Sequence, residues 1–356
     1  MSYDLSMLAR EKTKIITIGD KKIGGSNHVL IQSMCNIKTS NVKEVSEQIN
    51  RCAALGAEAM RVSVLDFEDA KAIKEIKKLI SIPLIADIHI DHRLALESID
   101  SGADAIRINP GNIGNIDRIK EVVSKAKEKN IPIRIGVNSG SLDKNIYDGN
   151  EIVKAKYLVE SAKKHVSILE SLGFNDIVIS LKGSSAIETI ESYRLASKIF
   201  PYPLHLGITE AGPKDFGLIR SAAGLSPLLL EGIGDTIRIS LSDEPEEEIK
   251  ATCRLLHDLG LMEEYPTFIS CPTCGRTQVD LLPLSKRVSE YLEINHINKV
   301  VAIMGCVVNG PGEAKRADIG IAGGKGEWVL FKKGQIIRKI KDENVYDELI
   351  KEIEKL

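Results

Sequence analysis

Short apolar runs alternate with helical patterns from about His28 to about Leu259. The runs read as strands at Val29–Met34, Ala59–Val64, Leu84–His89, Ala105–Asn109, Ile133–Asn138, Ile177–Lys182, Leu204–Thr209 and Thr236–Leu241. Between them apolar residues recur three or four apart, as in Val42, Val45, Ile49, Cys52 and Leu55, the spacing of one helix face. Gly56-Ala-Glu-Ala-Met-Arg61 and Gly102-Ala-Asp-Ala-Ile-Arg107 repeat one another, and looser copies begin at Gly173 and Gly232. A glycine suits a helix C-cap, and the apolar run after it suits a buried parallel strand. Eight such units predict a (β/α)8 TIM barrel. A doubly wound open sheet is the alternative. Its glycine-rich dinucleotide fingerprint is missing after the first strand, where the chain reads Gln32-Ser-Met-Cys-Asn36. Residues Lys14–Gly24 read as a hairpin closing the barrel floor. The pattern changes near Leu261, which divides the chain into a barrel at 1–260 and a smaller α+β domain at 261–356. That second domain is expected to hold a helix at Leu282–Leu292, a strand at Val300–Met304 and hairpin pieces at Trp328–Phe331 and Ile336–Ile340.

Polar residues interrupt the barrel strands at alternate positions: Arg61 and Ser63; Asp87 and His89; Arg107 and Asn109; Arg134 and Asn138; Ser180 and Lys182; His205 and Thr209; Arg238, Ser240 and Ser242. Period-two spacing puts each set on one face of its strand. The residues between them, such as Val62, Ile108, Ile135, Leu181 and Ile239, suit packing against helices, so the polar set faces the barrel interior. Most of its members stand toward the C-terminal strand ends, where barrel enzymes build their sites. Five are cations (Arg61, Arg107, Arg134, Lys182 and Arg238), and Asp87 is the one obvious internal anion. Clustered cations lose hydration and repel one another, and a polyanionic ligand relieves both penalties. Guanidinium forks suit phosphate oxygens. The loops Asn138-Ser-Gly-Ser141 and Lys182-Gly-Ser-Ser185 add backbone N–H groups. The competing account is a structural layer in which each arginine pairs with a carboxylate. Glu210, in Thr209-Glu210-Ala-Gly212, stands where a general acid or a helix-capping carboxylate would stand.

With 43% hydrophobic residues in 356, the chain can bury a large core. Its 48 basic and 50 acidic residues balance to -2, and aromatics are 4%, which disfavours general nucleic-acid or membrane-surface binding. No apolar run approaches the ~18 residues of a membrane span. The first residues lack a signal-peptide pattern, so a cytoplasmic protein is expected.

Six cysteines are too sparse for a disulfide scaffold. Cys271-Pro-Thr-Cys274 is a C-x-x-C turn, and Cys306 lies downstream in Gly305-Cys-Val-Val-Asn-Gly-Pro-Gly-Glu313. Two thiolates at that spacing converge on one centre, and a distant segment brings a third. Structural zinc takes four Cys or His ligands, which here requires His257, His296 or one of Cys35, Cys52 and Cys253. Cys52 and Cys253 lie in amphipathic helix patterns and read as buried small apolar groups. An iron–sulfur cluster on three thiolates with one replaceable ligand fits the spacing better, with Glu313 as a candidate fourth ligand.

Gln32-Ser-Met34, Ser270-Cys-Pro-Thr-Cys-Gly-Arg-Thr277, Met304-Gly-Cys-Val-Val-Asn-Gly-Pro-Gly-Glu-Ala314 and Ala317-Asp-Ile-Gly-Ile-Ala-Gly-Gly324 closely resemble the 4-hydroxy-3-methylbut-2-enyl diphosphate synthase family. The resemblance runs over essentially the whole chain and is to the two-domain bacterial form. Cys35 stands where many relatives carry threonine. The resemblance implies a [4Fe-4S] cluster on Cys271, Cys274 and Cys306 with Glu313 as the displaceable ligand. It implies that 2-C-methyl-D-erythritol 2,4-cyclodiphosphate binds in the barrel mouth. Expected to surround that substrate are Arg61, Asp87, His89, Arg107, Asn109, Arg134, Asn138, Lys182, His205, Arg238, Ser240 and Asn309. Reductive ring opening follows, late in the non-mevalonate isoprenoid pathway, with Glu210 and Glu313 as catalytic residues. A homodimer is implied, the cluster domain of one chain capping the barrel of the other, with flavodoxin or ferredoxin as electron donor. The rival readings are a non-redox barrel transferase similar to dihydropteroate synthase and a zinc-stabilised module that binds phosphorylated ligands.

Overall fold

The computed structural model describes residues 9–138, 150–307, 312 and 314–356. The chain divides into two compact units, one up to Leu261 and one from Met262.

The first unit opens with β1 (Ile16–Ile18) and β2 (Lys21–Ile23), an antiparallel hairpin. Its Ile16, Ile18 and Ile23 pack with Leu30, Ala59, Ile85, Ala105 and Val178 from the barrel strands, so the hairpin plugs the floor as expected. The barrel strands are β3 (Leu30–Met34), β4 (Ala59–Val64), β5 (Leu84–Ile88), β6 (Ala105–Ile108), β7 (Ile133–Asn138), β8 (Ile177–Lys182), β9 (His205–Leu206) and β10 (Thr236–Ile237). All pairings are parallel, in the order β8-β7-β6-β5-β4-β3-β10-β9. A parallel bridge from Ile179 to Leu204 brings β8 to the last strand and nearly closes the ring. The repeated glycines Gly56, Gly102, Gly173 and Gly232 all take positive φ, from +67° to +109°, at the ends of helices feeding the next strand. That backbone region is open to glycine, which explains the repeat.

The expected strands at Leu204–Thr209 and Thr236–Leu241 are regular for two residues each. At Gly207 the neighbouring backbone comes in close: a Cβ there would lie 2.9 Å from the carbonyl oxygen of Arg238. The outward residues Val62, Ile108, Ile135, Leu181 and Ile239 are all buried, as the alternation predicts.

The second unit carries a five-stranded sheet: β11 (Thr267–Ser270), β12 (Val300–Met304), β13 (Ile319–Gly323), β14 (Glu327–Lys332) and β15 (Gln335–Lys341). The first three strands run parallel and the last three antiparallel. Helices Leu281–Ile294 and Val345–Ile353 cover one face through Leu284, Val288, Leu292 and Leu349, packed on Ile303, Ile321 and Leu330. No helix among the described residues is long and apolar enough to cross a membrane.

Candidate functional site: a cationic barrel mouth and a cysteine loop

Strand register assembles the candidate site of the first unit. Asp87 pairs laterally with Arg107, and Arg107 with Arg134, so three charged side chains stand abreast on adjacent strands. Met34 pairs with Arg61. A cavity of about 280 Å³ at this end is lined by Met34, Arg61, Asp87, His89, Arg107, Arg134, Ser180, Lys182, Thr209, Arg238 and Ser240. All five cations of the sequence analysis therefore face one cavity.

Their pairing corrects one expectation. Asp87 is not the sole internal anion, because Glu248, from the helix Pro245–Asp258, is buried beside Arg238. Its Oε2 accepts from Arg238 Nε at 2.9 Å, and its Oε1 from Arg238 Nη2 at 3.0 Å. Asp87 sits 3.1 Å from Arg107 Nη1 and 3.3 Å from Arg61 Nε. Among the described residues five cations thus meet two carboxylates, a formal excess of three positive charges. Arg134 and Lys182 form no ion pair among the described residues. Arg134 donates Nη1 to Gln32 Oε1 at 3.0 Å, while its buried Nε and Nη2 have no partner among the described residues. Orphaned donors on a buried guanidinium mark a place built for acceptors.

The electrostatics follow. Burial pushes the Asp87 carboxyl up, but Arg61, Arg107 and Arg134 outweigh it and bring its pKa to about 2. Burial lowers Arg61 to about 10, with Asp87 opposing and Arg238 and Arg107 assisting. Lys182 falls well below its ordinary range, through burial first and then repulsion from Arg61, Arg238, Arg134 and Arg107. Arg134 moves the same way for the same reasons.

The remaining expected residues divide. His89 and Ser240 line the cavity. His205 does not: it is fully buried, with Nδ1 2.8 Å from Thr236 Oγ1 and Nε2 unpartnered among the described residues. Burial and the adjacent cations hold it well below its ordinary pKa, so it is a neutral ring inside the barrel. Asn109 is also outside the lining; its Oδ1 accepts from Gly111 N at 3.1 Å and caps the short helix Pro110–Ile113. Glu210 sits on the rim with φ +54° and lines a neighbouring groove with Ser184, Ser185 and Arg220. A left-handed φ at a non-glycine residue is strain of the kind that gathers at functional sites. Asn309, Glu313 and the side chain of Asn138 lie outside the described residues.

Two glycines went unnoticed in the sequence. A Cβ on Gly136 would stand 2.4 Å from Arg107 Nε, and one on Gly207 would stand 3.5 Å from Lys182 Nζ. Both fall on the inward phase of the alternation, between Arg134 and Asn138 and between His205 and Thr209. A glycine on that phase is the available signal.

A separate candidate site, in the second unit, lies at the ends of β11 and β12. These strands are parallel neighbours, Ser270 beside Ile303, so Cys271 and Gly305-Cys306 leave the sheet side by side. The Gly305 N–H donates to Cys271 Sγ at 3.1 Å, and Gln278 N to Gly305 O at 3.2 Å. Thr277 Oγ1 accepts from Cys274 N at 3.2 Å. Hydrogen bonding from the Arg276 backbone lowers the exposed Cys274 thiol below its ordinary range, with the Arg276 side chain contributing. Amide donors to sulfur and a lowered thiol pKa suit thiolate ligands. Among the described residues no three His, Cys, Asp or Glu side chains are gathered into a metal-binding group: neither a zinc quartet with His257 or His296 nor the trio Cys271, Cys274 and Cys306 is brought together there. Cys35, Cys52 and Cys253 are buried, the last two fully. Burial, assisted by Glu246, raises Cys35 to about 12, the behaviour of an inert thiol.

Comparison with known proteins decides the family. Residues 13–253 match the GcpE TIM-barrel domain, and residues 267–355 match the GcpE protein C-terminal domain. The chain belongs to the GcpE family. A relative from Caldanaerobacter subterraneus subsp. tengcongensis, 4-hydroxy-3-methylbut-2-en-1-yl diphosphate synthase (flavodoxin), is 55% identical over 98% of both chains. One from Clostridium acetobutylicum with the same name is 52% identical over 98% of this chain and all of its own. Among solved structures, dihydropteroate synthase from Stenotrophomonas maltophilia superposes with a TM-score of 0.53 at 12% identity, covering 70% of this chain and 97% of its own. That likeness shows a shared barrel and leaves the GcpE assignment as the one that speaks to chemistry.

Proposed function

We propose that this GcpE-family chain is a 4-hydroxy-3-methylbut-2-en-1-yl diphosphate synthase, acting on 2-C-methyl-D-erythritol 2,4-cyclodiphosphate. More than half the residues match relatives of that name end to end. The observation that carries the substrate assignment is the cavity's excess, among the described residues, of three positive charges, with two Arg134 donors unpartnered there.

In this reading the diphosphate enters among Arg107, Arg134, Lys182 and Arg238 and neutralises them. Arginine forks hold its oxygens at fixed angles, and Lys182 adds a point charge. Asp87 holds Arg61 and Arg107 in place, so the cations are oriented before the ligand arrives. Cys271, Cys274 and Cys306, with Glu313 as fourth ligand, are assigned to a [4Fe-4S] cluster. When bound, that group supplies single electrons and a Lewis-acidic iron. Overall, two electrons and two protons enter, the carbon–oxygen bond of the ring breaks, and one hydroxyl leaves as water. Glu210, strained on the rim, is assigned the proton for the departing hydroxyl. Flavodoxin as donor and a homodimeric assembly belong to the same proposal.

Anaerobically reconstituted protein is expected to be brown, to contain iron and acid-labile sulfide, and to convert the cyclodiphosphate when reduced flavodoxin is supplied. Colourless protein with stoichiometric zinc and no turnover overturns the assignment. Glu210→Gln is expected to bind substrate normally and turn over about a hundredfold more slowly; full-rate turnover removes Glu210 from the mechanism.

A further inference from the structure

Glu248 belongs to an acidic run, Glu246-Glu247-Glu248, in the first turn of the helix Pro245–Asp258. Its neighbours serve the helix exterior: Glu246 meets Arg51 at 2.7 Å, and Glu247 meets Lys214 and Lys250. Glu248 alone of the three turns inward, its side chain 2% exposed. Four donors converge on it. Oε2 accepts from Ser33 Oγ at 2.5 Å and Arg238 Nε at 2.9 Å; Oε1 accepts from Arg238 Nη2 at 3.0 Å and Leu241 N at 2.9 Å. Each oxygen thus has two donors, which fills the acceptor capacity of a carboxylate.

We propose that Glu248 is a positioning residue that fixes the Arg238 guanidinium as a diphosphate-binding fork. This inference rests on reading the barrel mouth as a diphosphate site. The Glu248 bonds use one N–H of Nε and one of Nη2, leaving the other three N–H groups of Arg238 for a ligand. Among the described residues Nη1 has only the Met34 thioether, at 3.6 Å. A thioether is a weak acceptor that a phosphate oxygen displaces. Without the carboxylate, repulsion from Arg61 drives Arg238 away from the cavity. Ser33 on β3 and Leu241 beyond β10 hold the carboxylate from two further elements, so its orientation does not depend on the arginine.

The test uses inorganic pyrophosphate and calorimetry on the full chain without its cluster. Positioning and simple charge predict opposite signs. Glu248→Gln removes a negative charge near an anion site, so a field effect alone tightens binding. Positioning predicts about tenfold weaker binding, because the amide offers an N–H where Arg238 needs an acceptor. Glu248→Asp keeps the charge but falls short of the fork, and is also expected to weaken binding; wild-type affinity in Glu248→Asp overturns positioning. In an Arg238→Gln background, Glu248→Gln is expected to change affinity less than about twofold. Persistence of its full effect there assigns Glu248 a general structural role and overturns the proposal. If Glu248→Gln does not fold, Ser33→Ala removes one of the four bonds and leaves both charges. It is expected to weaken binding about threefold, and unchanged binding counts against the proposal. A wild-type chain that does not bind pyrophosphate refutes the diphosphate site itself, a separate result.

Discussion

The two units solve the problem of holding chemistry in different ways. The barrel places its functional side chains on strands, where register fixes them, and supports them with buried carboxylates from a strand and a helix. Its site is formed before any ligand arrives and is under electrostatic tension. The C-terminal unit places its cysteines on loops beyond two strand ends, exposed or half-exposed. It contributes the Gly305 N–H to one sulfur and leaves the remaining order to whatever the thiols bind. Fixed charges on strands need no ligand to be in place, whereas soft ligands on loops, if they take the proposed cluster, gain their order from it.

Separating the two sites by mutation breaks or upholds that contrast. Cys306→Ser is expected to abolish turnover and cluster uptake while pyrophosphate affinity stays within about twofold of wild type. Removing iron with a chelator should do the same to the unaltered chain. Loss of pyrophosphate binding in either case would show that the barrel site depends on the cysteine unit, and the comparison would fail.

The tension in the barrel gives the next largest effect. Lys182→Met removes a half-buried cation that has no ion pair among the described residues. It is expected to weaken pyrophosphate binding by about 2 kcal/mol, roughly 30-fold. The same change should raise the melting temperature of the ligand-free protein, because it relieves repulsion and desolvation together. The pH dependence follows from the direction of the Lys182 shift. Its pKa in the folded chain lies well below 10.5, so over that interval the unfolded chain binds more protons and stability rises with pH. The melting temperature of the wild type should therefore approach that of Lys182→Met as pH rises from neutral toward about 10. A constant gap across that range would place the tension elsewhere.

The periodicity in the sequence located all eight barrel strands and the inward phase of their polar residues, because parallel strands bury one face on helices and the other in the barrel. It located the five cations for the same reason. What it missed came from elements that do not follow the strand period. Glu248 reaches the cavity from a helix, and its one sign was a carboxylate on the buried stripe with Ile249, Thr252 and Leu256. Asn109 has the strand phase but ends its strand, and a residue there caps the following helix as readily as it faces a ligand. His205 has the right phase but is fully buried with its Nδ1 on Thr236, away from the cavity lining. The cysteine spacing was plain, but the amide donated to Cys271 depends on β11 and β12 being neighbours, a non-local fact that no local pattern encodes.

Gly136→Ala sharpens the claim that register and space together fix the cations. The added methyl would occupy the position of the Arg107 guanidinium, 2.4 Å from Nε, and Arg107 would have to leave Asp87. A destabilisation of about 1–3 kcal/mol is expected from overpacking. Pyrophosphate binding should weaken about tenfold because one fork is misplaced. Unchanged affinity would mean that Arg107 can be moved without consequence, and it would then be a structural ion pair.

The smallest effect separates a cap from a ligand-binding residue. Asn109 Oδ1 accepts from Gly111 N, and its strand phase alone had suggested contact with the substrate. If capping is its work, Asn109→Ala costs about 1 kcal/mol of stability and Asn109→Asp about none, since both side chains cap well. Diphosphate affinity should then be unaltered in Asn109→Ala. In Asn109→Asp it should fall only as far as an added negative charge near the mouth requires, and that loss should shrink as ionic strength rises. A loss of affinity in Asn109→Ala that salt does not change would restore the residue to the binding surface. The barrel mouth would then reach beyond the residues that line its cavity and include the first turn of the loop after β6.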